Sequence, residues 1–161
     1  MEHTRGKESL RKQYTGGTIF VDHASRLIYI VNQVSLRVGE SLQSKNKFER
    51  WAEDNEVKIQ KYHTDNIPYF TQPFKKDLEE KRQDLTASGV GAHHQNPIAE
   101  RAIRTVTERA RTLILHALLH WPTQVDLRLW PFAMEYAAYI WNSMPQEDLG
   151  GFSPLEIFSG S

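Results

Sequence analysis

The chain has 161 residues, of which 39% are hydrophobic, with 20 basic and 20 acidic side chains and no cysteine. This composition predicts a folded domain with a buried core, and it argues against a disordered chain, disulfide bonds and thiolate chemistry. A formal charge of zero does not favour binding to nucleic acid through bulk charge, so any such contact must come from a local patch.

Residues 1–14 are predicted to form a disordered basic arm in front of a single domain over 15–161. The arm is too polar for a secretory signal, and no later run reaches the ~20 apolar residues that a membrane helix needs. We therefore expect a soluble, intracellular protein without a membrane partner. β-branched and aromatic residues then favour an antiparallel hairpin over about 18–24 and 27–34.

Helices and strands alternate through the middle of the chain. Apolar residues at helical spacing predict a helix over 38–56, with Lys, Glu and Gln on its solvent-facing side. An alternating pattern predicts a strand over 57–64 that runs directly into Asp65. A helix with Pro73 near its start follows, and then a short strand in the stretch DLTASG.

The C-terminal half is predicted to be helical. Pro97 suits the first turn of a long amphipathic helix that Asn96 can cap and whose apolar face continues to Leu118. An aromatic-rich helix is expected over about 126–143, followed by a tail. Four tryptophans are expected to lie in the core or in contacts between helices, namely Trp51, Trp121, Trp130 and Trp141. Strands and helices in this order predict an α/β domain.

Two carboxylates lie at the edges of predicted elements. Asp65 follows a strand, and Glu100 lies in the first turn of the long helix. Mg²⁺ and Mn²⁺ prefer such oxygen ligands, and a pair of these ions can activate a water or hydroxyl for attack on a phosphodiester. Alternatively, Asp65 is an ordinary turn residue and Glu100 is a charge that the helix dipole favours. Spacing alone leaves both readings open.

The stretches FVDHASRLIYI, YHTDN and HHQNPIAERAIRTVTERAR resemble the catalytic core of retroviral-type integrases, over roughly residues 16–161. The nearest likeness is to integrases of copia-type retrotransposons. The resemblance implies an RNase H-like fold, a mixed sheet flanked by helices, and an Asp, Asp, Glu triad that holds Mg²⁺ or Mn²⁺ and joins element DNA to target DNA. Asp65 matches the second aspartate and Glu100 the glutamate. Pro97 stands where the family often has glycine, which should stiffen this loop.

The first aspartate of that triad has no match. Asp22 lies in the stretch that matches the second strand of the family, so we interpret it as a hairpin-end residue. The first, central strand of the sheet is therefore expected to be missing, which leaves an apolar gap and unpaired backbone groups. We expect an N-terminally truncated core that is inactive alone and holds a divalent ion weakly through Asp65 and Glu100.

The resemblance also places the loop before Glu100 near DNA. The implied DNA contacts are Asn66, His94, Gln95, Asn96 and Arg104. For Arg104, and for its neighbours Arg101, Arg109 and Arg111, the alternative is a solvated helix face with Glu108 as a local partner. His63, His93 and His94 lack partners at zinc-ligand spacing, which favours polar loop or DNA-facing roles over a metal site.

The resemblance implies DNA integration by polynucleotidyl transfer, with DNA as the partner and no small-molecule substrate. Two alternatives remain: a non-catalytic DNA-binding or assembly module, and an RNase H-like nuclease that cuts without joining. A homo-oligomer is left open, and a nuclear location is expected if the protein integrates DNA.

Overall fold

The fold was obtained as a computed structural model, which describes residues 6–7, 13–64, 71–87 and 97–161. Strands and helices alternate in the first half, and helices fill the second half. The strands are β1 (Gly6–Lys7), β2 (Gln13–Tyr14), β3 (Gly16–Val21), β4 (Ile28–Gln33), β5 (Lys61–Thr64) and β6 (Asp84–Ala87). The helices are α1 (Val38–Asp54), α2 (Gln72–Lys81), α3 (Pro97–His120), α4 (Trp130–Ser143) and α5 (Pro154–Ser159).

Strands β3 and β4 form the predicted hairpin. They pair antiparallel from Gly16 opposite Gln33 to Val21 opposite Ile28. At the turn, Arg26 has a φ of 61° and donates its N–H to the carbonyl of Asp22, whose own N–H bonds the carbonyl of Leu27. Arg26 and Leu27 therefore both lie opposite Asp22, which is a β-bulge. Glycine usually occupies the position with positive φ in a bulge of this kind.

A second pair of strands lies beyond α1. Strands β5 and β6 run parallel, from Lys61 opposite Asp84 to Thr64 opposite Ala87, and α2 connects them. Within the part of the chain that the structure describes, no backbone ladder joins this pair to the hairpin. Antiparallel and parallel pairing in one domain, with helices packed on it, confirms the predicted α/β class. The absence of a first central strand stays a prediction.

Helices cover both faces of the hairpin. On one face, Ile28 packs with Val106 of α3 and with a set of small residues, Ala102, Ala110, Ala137 and Ala138. Because alanine side chains are short, α3 and α4 approach each other closely along this core. On the other face, Leu27 packs with Ala52 of α1 and Phe158 of α5. A row of stacked or tilted rings extends this second core through Phe20, Phe48, Tyr29 and Trp51.

Several details depart from the sequence-based expectations. The strand expected over 57–64 forms only at Lys61–Thr64, although Val57 and Ile59 pack against the core. The helix expected from about 126 begins at Trp130, after a 3-10 turn at Leu127–Leu129. The expected tail contains α5, and Trp121, expected to be packed, is 56% exposed.

The arm predicted over 1–14 is described only in part. Gly6–Lys7 pairs antiparallel with Gln13–Tyr14, while residues 1–5 and 8–12 lie outside the described residues. The disorder predicted for this arm stays a prediction. Across the described ranges, none of the helices is sufficiently long and apolar to cross a membrane.

Candidate functional site

A groove separates the hairpin from the β5–β6 pair, and we call it the inter-sheet groove. Its volume is about 960 Å³. One wall is β3 with the start of its turn, Gly17–His23, and the opposite wall is β5, Lys61–Thr64. The first turns of α3 close one side through Pro97, Ile98, Ala99, Glu100 and Ile103. The C-terminal end of β5 and the N-terminal turn of α3 therefore meet at one cavity.

Glu100 lies on this groove in the position predicted for it. It belongs to the first turn of α3, and its side chain is exposed. The helix dipole makes this end of a helix favourable for a negative charge. The carboxylate is thus available to a cation or a polar ligand in the groove.

Most of the other predicted site residues cannot be compared with the structure. Asp65 follows directly after β5, which ends at Thr64 on the groove wall, but Asp65 itself lies outside the described residues. The predicted DNA contacts Asn66, His94, Gln95 and Asn96 also lie outside them. Their roles, and the separation of the carboxylates at 65 and 100, stay predictions.

Asp22 is engaged in the hairpin turn, as predicted. Its Oδ2 atom accepts hydrogen bonds from the backbone N–H and the hydroxyl of Ser25, each at 2.7 Å. Asp22 also lines the groove, so it contributes a second acidic side chain there. Among the residues that the structure describes, no three His, Cys, Asp or Glu side chains gather into a group that could hold a metal ion.

Behind the groove lies a buried charge network that the sequence reading missed. Lys45 of α1 is fully buried, although α1 was predicted to turn its Lys and Glu residues to solvent. Its Nζ atom lies 2.6 Å from Asp77 Oδ2 and 2.7 Å from both Glu49 Oε1 and Gln83 Oε1. Lys81 adds a second cation, 2.7 Å from Glu49 Oε2. The network therefore joins α1, α2 and the start of β6.

The network shifts the pKa values of Glu49 and Tyr62. Burial alone would raise the pKa of Glu49, but hydrogen bonds from Lys45, Lys81, Gln83 and Tyr62 outweigh it and lower that pKa. Burial, followed by the negative charge of Glu49, raises the pKa of Tyr62, whose hydroxyl donates to Glu49 at 2.9 Å. The tyrosine stays protonated and serves as a donor. The i, i+4 pairs Lys45–Glu49 and Asp77–Lys81 were the available sequence signal.

Solved structures that are similar to this chain include retroviral integrase cores. The HTLV-2 integrase catalytic core domain, in complex with magnesium and in a trimeric form, matches with a TM-score of 0.68 at 15% identity, over 96% of this chain and 90% of that one. The catalytic core domain of BIV integrase matches with a TM-score of 0.63 at 15% identity, over 87% and 82%. The chain has the RNase H-like fold of an integrase core.

A third match is an assembled complex. The simian T-cell lymphotropic virus intasome, solved with the PP2A regulatory subunit B56 gamma, matches with a TM-score of 0.65 at 15% identity, over 96% of this chain and 51% of the matched chain. No protein-family model matches the sequence, and no curated protein sequence matches it. At this level of sequence identity, the similarity establishes the fold only. Any chemistry has to be argued from the residues of this chain.

The arginines of α3 do not share one environment. Arg104, one turn beyond Glu100, is exposed, as are Arg101 and Arg111. Arg109 instead lies over the Trp141 ring, 5.0 Å from its centroid, in a cation–π contact between α3 and α4. Of the predicted DNA contacts, Arg104 alone is described, and it is free to meet a phosphate. Arg109 has a packing role.

One of the two described histidines that line the groove also has a local bond. His63 of β5 is exposed, and its Nδ1 atom lies 3.0 Å from the hydroxyl of Thr86 on β6. This contact fits the polar role predicted for it rather than a metal ligand. For a divalent ion, the described part of the groove supplies the carboxylate of Glu100 and the engaged carboxylate of Asp22.

Proposed function

We propose that the chain is a DNA-integration domain, the catalytic-core portion of a copia-type retrotransposon integrase. The observation that carries this proposal is the inter-sheet groove, where the end of β5 and the turn bearing Glu100 line one cavity. Asp65 follows the last residue of β5, which supports its assignment as the partner of Glu100. The integrase-core fold agrees with this reading, since the same two positions match the catalytic motif.

In this proposal, Asp65 and Glu100 hold Mg²⁺ or Mn²⁺. The ion supplies Lewis-acid stabilisation of charge on phosphate oxygens, and it lowers the pKa of an attacking water or hydroxyl. The exposed Glu100 carboxylate contributes oxygen ligands from a helix N-terminus. Because Asp22 already accepts two hydrogen bonds in its turn, two carboxylates are expected to bind the ion weakly, and this chain alone is expected not to join DNA strands.

DNA is the proposed partner. Asn66, His94, Gln95 and Asn96 are proposed to contact the strand next to the carboxylates, and Arg104 to contact a phosphate one turn further along α3. Contacts of this kind position the backbone of DNA and carry little sequence information. We also propose self-association, no small-molecule substrate, and an intracellular site of action that is nuclear when integration occurs.

Metal binding provides the direct test. Mn²⁺ titration of the protein, followed by the loss of the free-ion electron paramagnetic resonance signal, is expected to show one weak site. Glu100→Gln and Asp65→Asn should each weaken it by about tenfold or more, because each removes one of few charged ligands. Glu108→Gln is the matched control, since Glu108 is exposed on the same helix outside the groove. Equal binding by all four proteins would overturn the assignment of Asp65 and Glu100.

Activity assays separate the alternatives. A blunt DNA duplex with Mn²⁺ should give no joined product with this chain, and joining by the unaltered chain would refute the expected inactivity. Cleavage of an RNA–DNA hybrid without joining would identify a nuclease instead. The second candidate is a non-catalytic DNA-binding module. It predicts DNA binding that Mn²⁺ and Glu100→Gln leave unchanged.

A further inference from the structure

The end of α3 carries two histidines on the same side of the helix. His116 and His120 are four residues apart, and their ring centres lie 4.6 Å from each other. Residues at this spacing are direct neighbours on a helix surface, because four positions make slightly more than one turn. Both side chains are exposed. The backbone of α3 therefore holds two imidazole rings next to each other and open to solvent.

The separation of the two rings suits the coordination of one metal ion. An ion bonded at about 2.0–2.1 Å to one nitrogen of each ring lies about 3.2 Å from each ring centre. When the two bonds make a right angle, the ring centres are then about 4.5 Å apart. The observed separation of 4.6 Å is close to this value. The helix thus already sets the spacing that such an ion needs.

Imidazole nitrogen selects the class of ion. Zn²⁺, Cu²⁺ and Ni²⁺ bind this ligand well, whereas Mg²⁺ and Mn²⁺ prefer oxygen ligands. No lysine or arginine stands between Thr112 and Trp121, so no basic residue of this segment repels a cation. Across the described residues, no third His, Cys, Asp or Glu joins the pair. Water is therefore expected to fill the other coordination positions of the ion.

The pair lies far from the inter-sheet groove. His116 follows Glu100 by sixteen residues, which corresponds to about 24 Å along a helix that rises ~1.5 Å per residue. Neither histidine lines the groove. The pair is therefore separate from the hard-cation site proposed at Asp65 and Glu100, in both its position and its ligand chemistry.

The end of α3 has little tertiary packing of its own. The last buried residue of the helix is Ala110, and none of the residues 111–120 is buried. Leu119, beside His120, is 81% exposed. The backbone bond that closes this end runs from the Trp121 N–H to the Ala117 carbonyl at 2.8 Å. A helix end with so few tertiary contacts opens at a low cost in free energy.

We propose that His116 and His120 bind one divalent ion of the Zn²⁺, Ni²⁺ and Cu²⁺ class, and that this ion holds the last turn of α3 closed. An ion bonded to one imidazole meets the second at a high effective concentration, because the helix fixes both rings. Unwinding of the turn separates the rings and breaks one bond to the ion. The ion therefore binds the closed turn more tightly than the open turn, and binding stabilises the closed form.

The first test titrates the full chain with ZnCl₂ and follows the NMR signals of the histidine rings. The signals of His116 and His120 should shift together, with one common dissociation constant. His120→Ala should weaken the response of His116 by about tenfold or more, because a single imidazole lacks the second bond. Thr112→Ala is the matched control, since Thr112 lies one turn before His116 on the exposed side of α3. It should change the dissociation constant less than about twofold.

The second test measures hydrogen exchange of the Trp121 amide. At a Zn²⁺ concentration of about ten times the dissociation constant, exchange should slow by about tenfold, the factor by which binding shifts the opening equilibrium. MgCl₂ at the same concentration should have no effect, because imidazole is a poor ligand for Mg²⁺. His120→Ala should lose the slowing by Zn²⁺. Both histidines are exposed, so their replacement by alanine is expected to leave the fold intact.

Three outcomes would overturn the proposal. They are the lack of a shared response of the two histidines, an equal Zn²⁺ affinity in His120→Ala, and an unchanged exchange rate of the Trp121 amide with Zn²⁺ bound. Glu100→Gln should leave both measurements unchanged, and His120→Ala should leave the Mn²⁺ titration unchanged. The histidine site is thus tested independently of the proposed integrase function.

Discussion

The side chain of Asn142 in α4 holds the backbone of Ile28 in β4 by two hydrogen bonds, of 2.9 and 2.8 Å. Ile28 is 1% exposed, so water cannot replace either bond. Leucine at position 142 would match the side chain in size and leave both backbone groups unsatisfied. Asn142→Leu is expected to lower the free energy of unfolding by about 2–4 kcal/mol, measured by urea denaturation.

Gln124→Ala is the control for that substitution. Gln124 is an exposed amide between α3 and α4, and its truncation should change the free energy of unfolding by less than about 0.5 kcal/mol. Similar values for the two variants would mean that the amide of Asn142 does not hold the edge of β4.

The buried network depends on Lys45 to balance two carboxylates. Glu49 and Asp77 have side chains only 8% and 17% exposed, and both lie within 2.7 Å of Lys45 Nζ. Lys45→Met removes this charge and leaves the carboxylates partly uncompensated, so it should cost about 3–5 kcal/mol of unfolding free energy. The double variant Lys45→Met with Asp77→Leu should recover part of the loss, which a double-mutant cycle measures.

An exposed pair on α2 supplies the comparison. Lys76 and Glu80 lie 3.8 Å apart with side chains 78% and 66% exposed. Lys76→Met should change stability by no more than about 0.5 kcal/mol, because solvent screens such pairs. A loss at Lys45 as small as that at Lys76 would contradict the structural role of the network.

The network also predicts sensitivity to acid through Glu49. The pKa of Glu49 is lowered in the folded protein from an ordinary value of 4.5, so the unfolded chain takes up its proton first as the pH falls. The stabilisation is therefore complete above about pH 5 and is lost as the pH falls through the lowered folded pKa. Glu49→Gln should reduce the slope of the free energy of unfolding against pH in this range. Denaturant unfolding at a series of pH values measures that slope.

The exposed Glu53 on the same helix provides the control for pH dependence. Glu53→Gln should leave the slope unchanged. Part of the pH dependence of stability should persist in Glu49→Gln, because the pKa of Glu40 is lowered as well. The main cause is the hydrogen bond from the Ser35 side chain, and the backbone N–H groups of Ser35 and Val34 add to it. An unchanged slope in Glu49→Gln would show that this carboxylate keeps its ordinary pKa.

DNA binding, if it occurs as proposed, should involve Arg104. Arg104→Ala is expected to weaken binding to duplex DNA and to reduce the slope of log K against log salt by about 0.9, the effect of losing one phosphate contact. Arg50→Ala is the control, because Arg50 is exposed on α1, which packs on the other face of the hairpin. Equal slopes for all three proteins would remove Arg104 from the proposed interface.

Local chemistry made the elements readable from the sequence. The β-branched residues of the hairpin and the helical spacing after Pro97 predicted β3, β4 and α3 within a few residues. The sequence also contains a capping-box pattern at Ser153 and Glu156, and the structure shows both of its hydrogen bonds at the start of α5. These features involve residues near one another in the chain, so spacing and residue type suffice to indicate them.

The tertiary structure decided the features that join distant segments. The burial of Lys45 depends on α2 lying against α1, and charged residues at i, i+4 look the same on a solvated helix. The meeting of β5 with the first turn of α3 at one groove likewise depends on how the chain returns to the same place. The sequence by itself determined the α/β class, the hairpin turn at Asp22 and the helix that carries Glu100. Which charges are buried, and which elements meet at the groove, followed only from packing, because both depend on contacts between segments far apart in the chain.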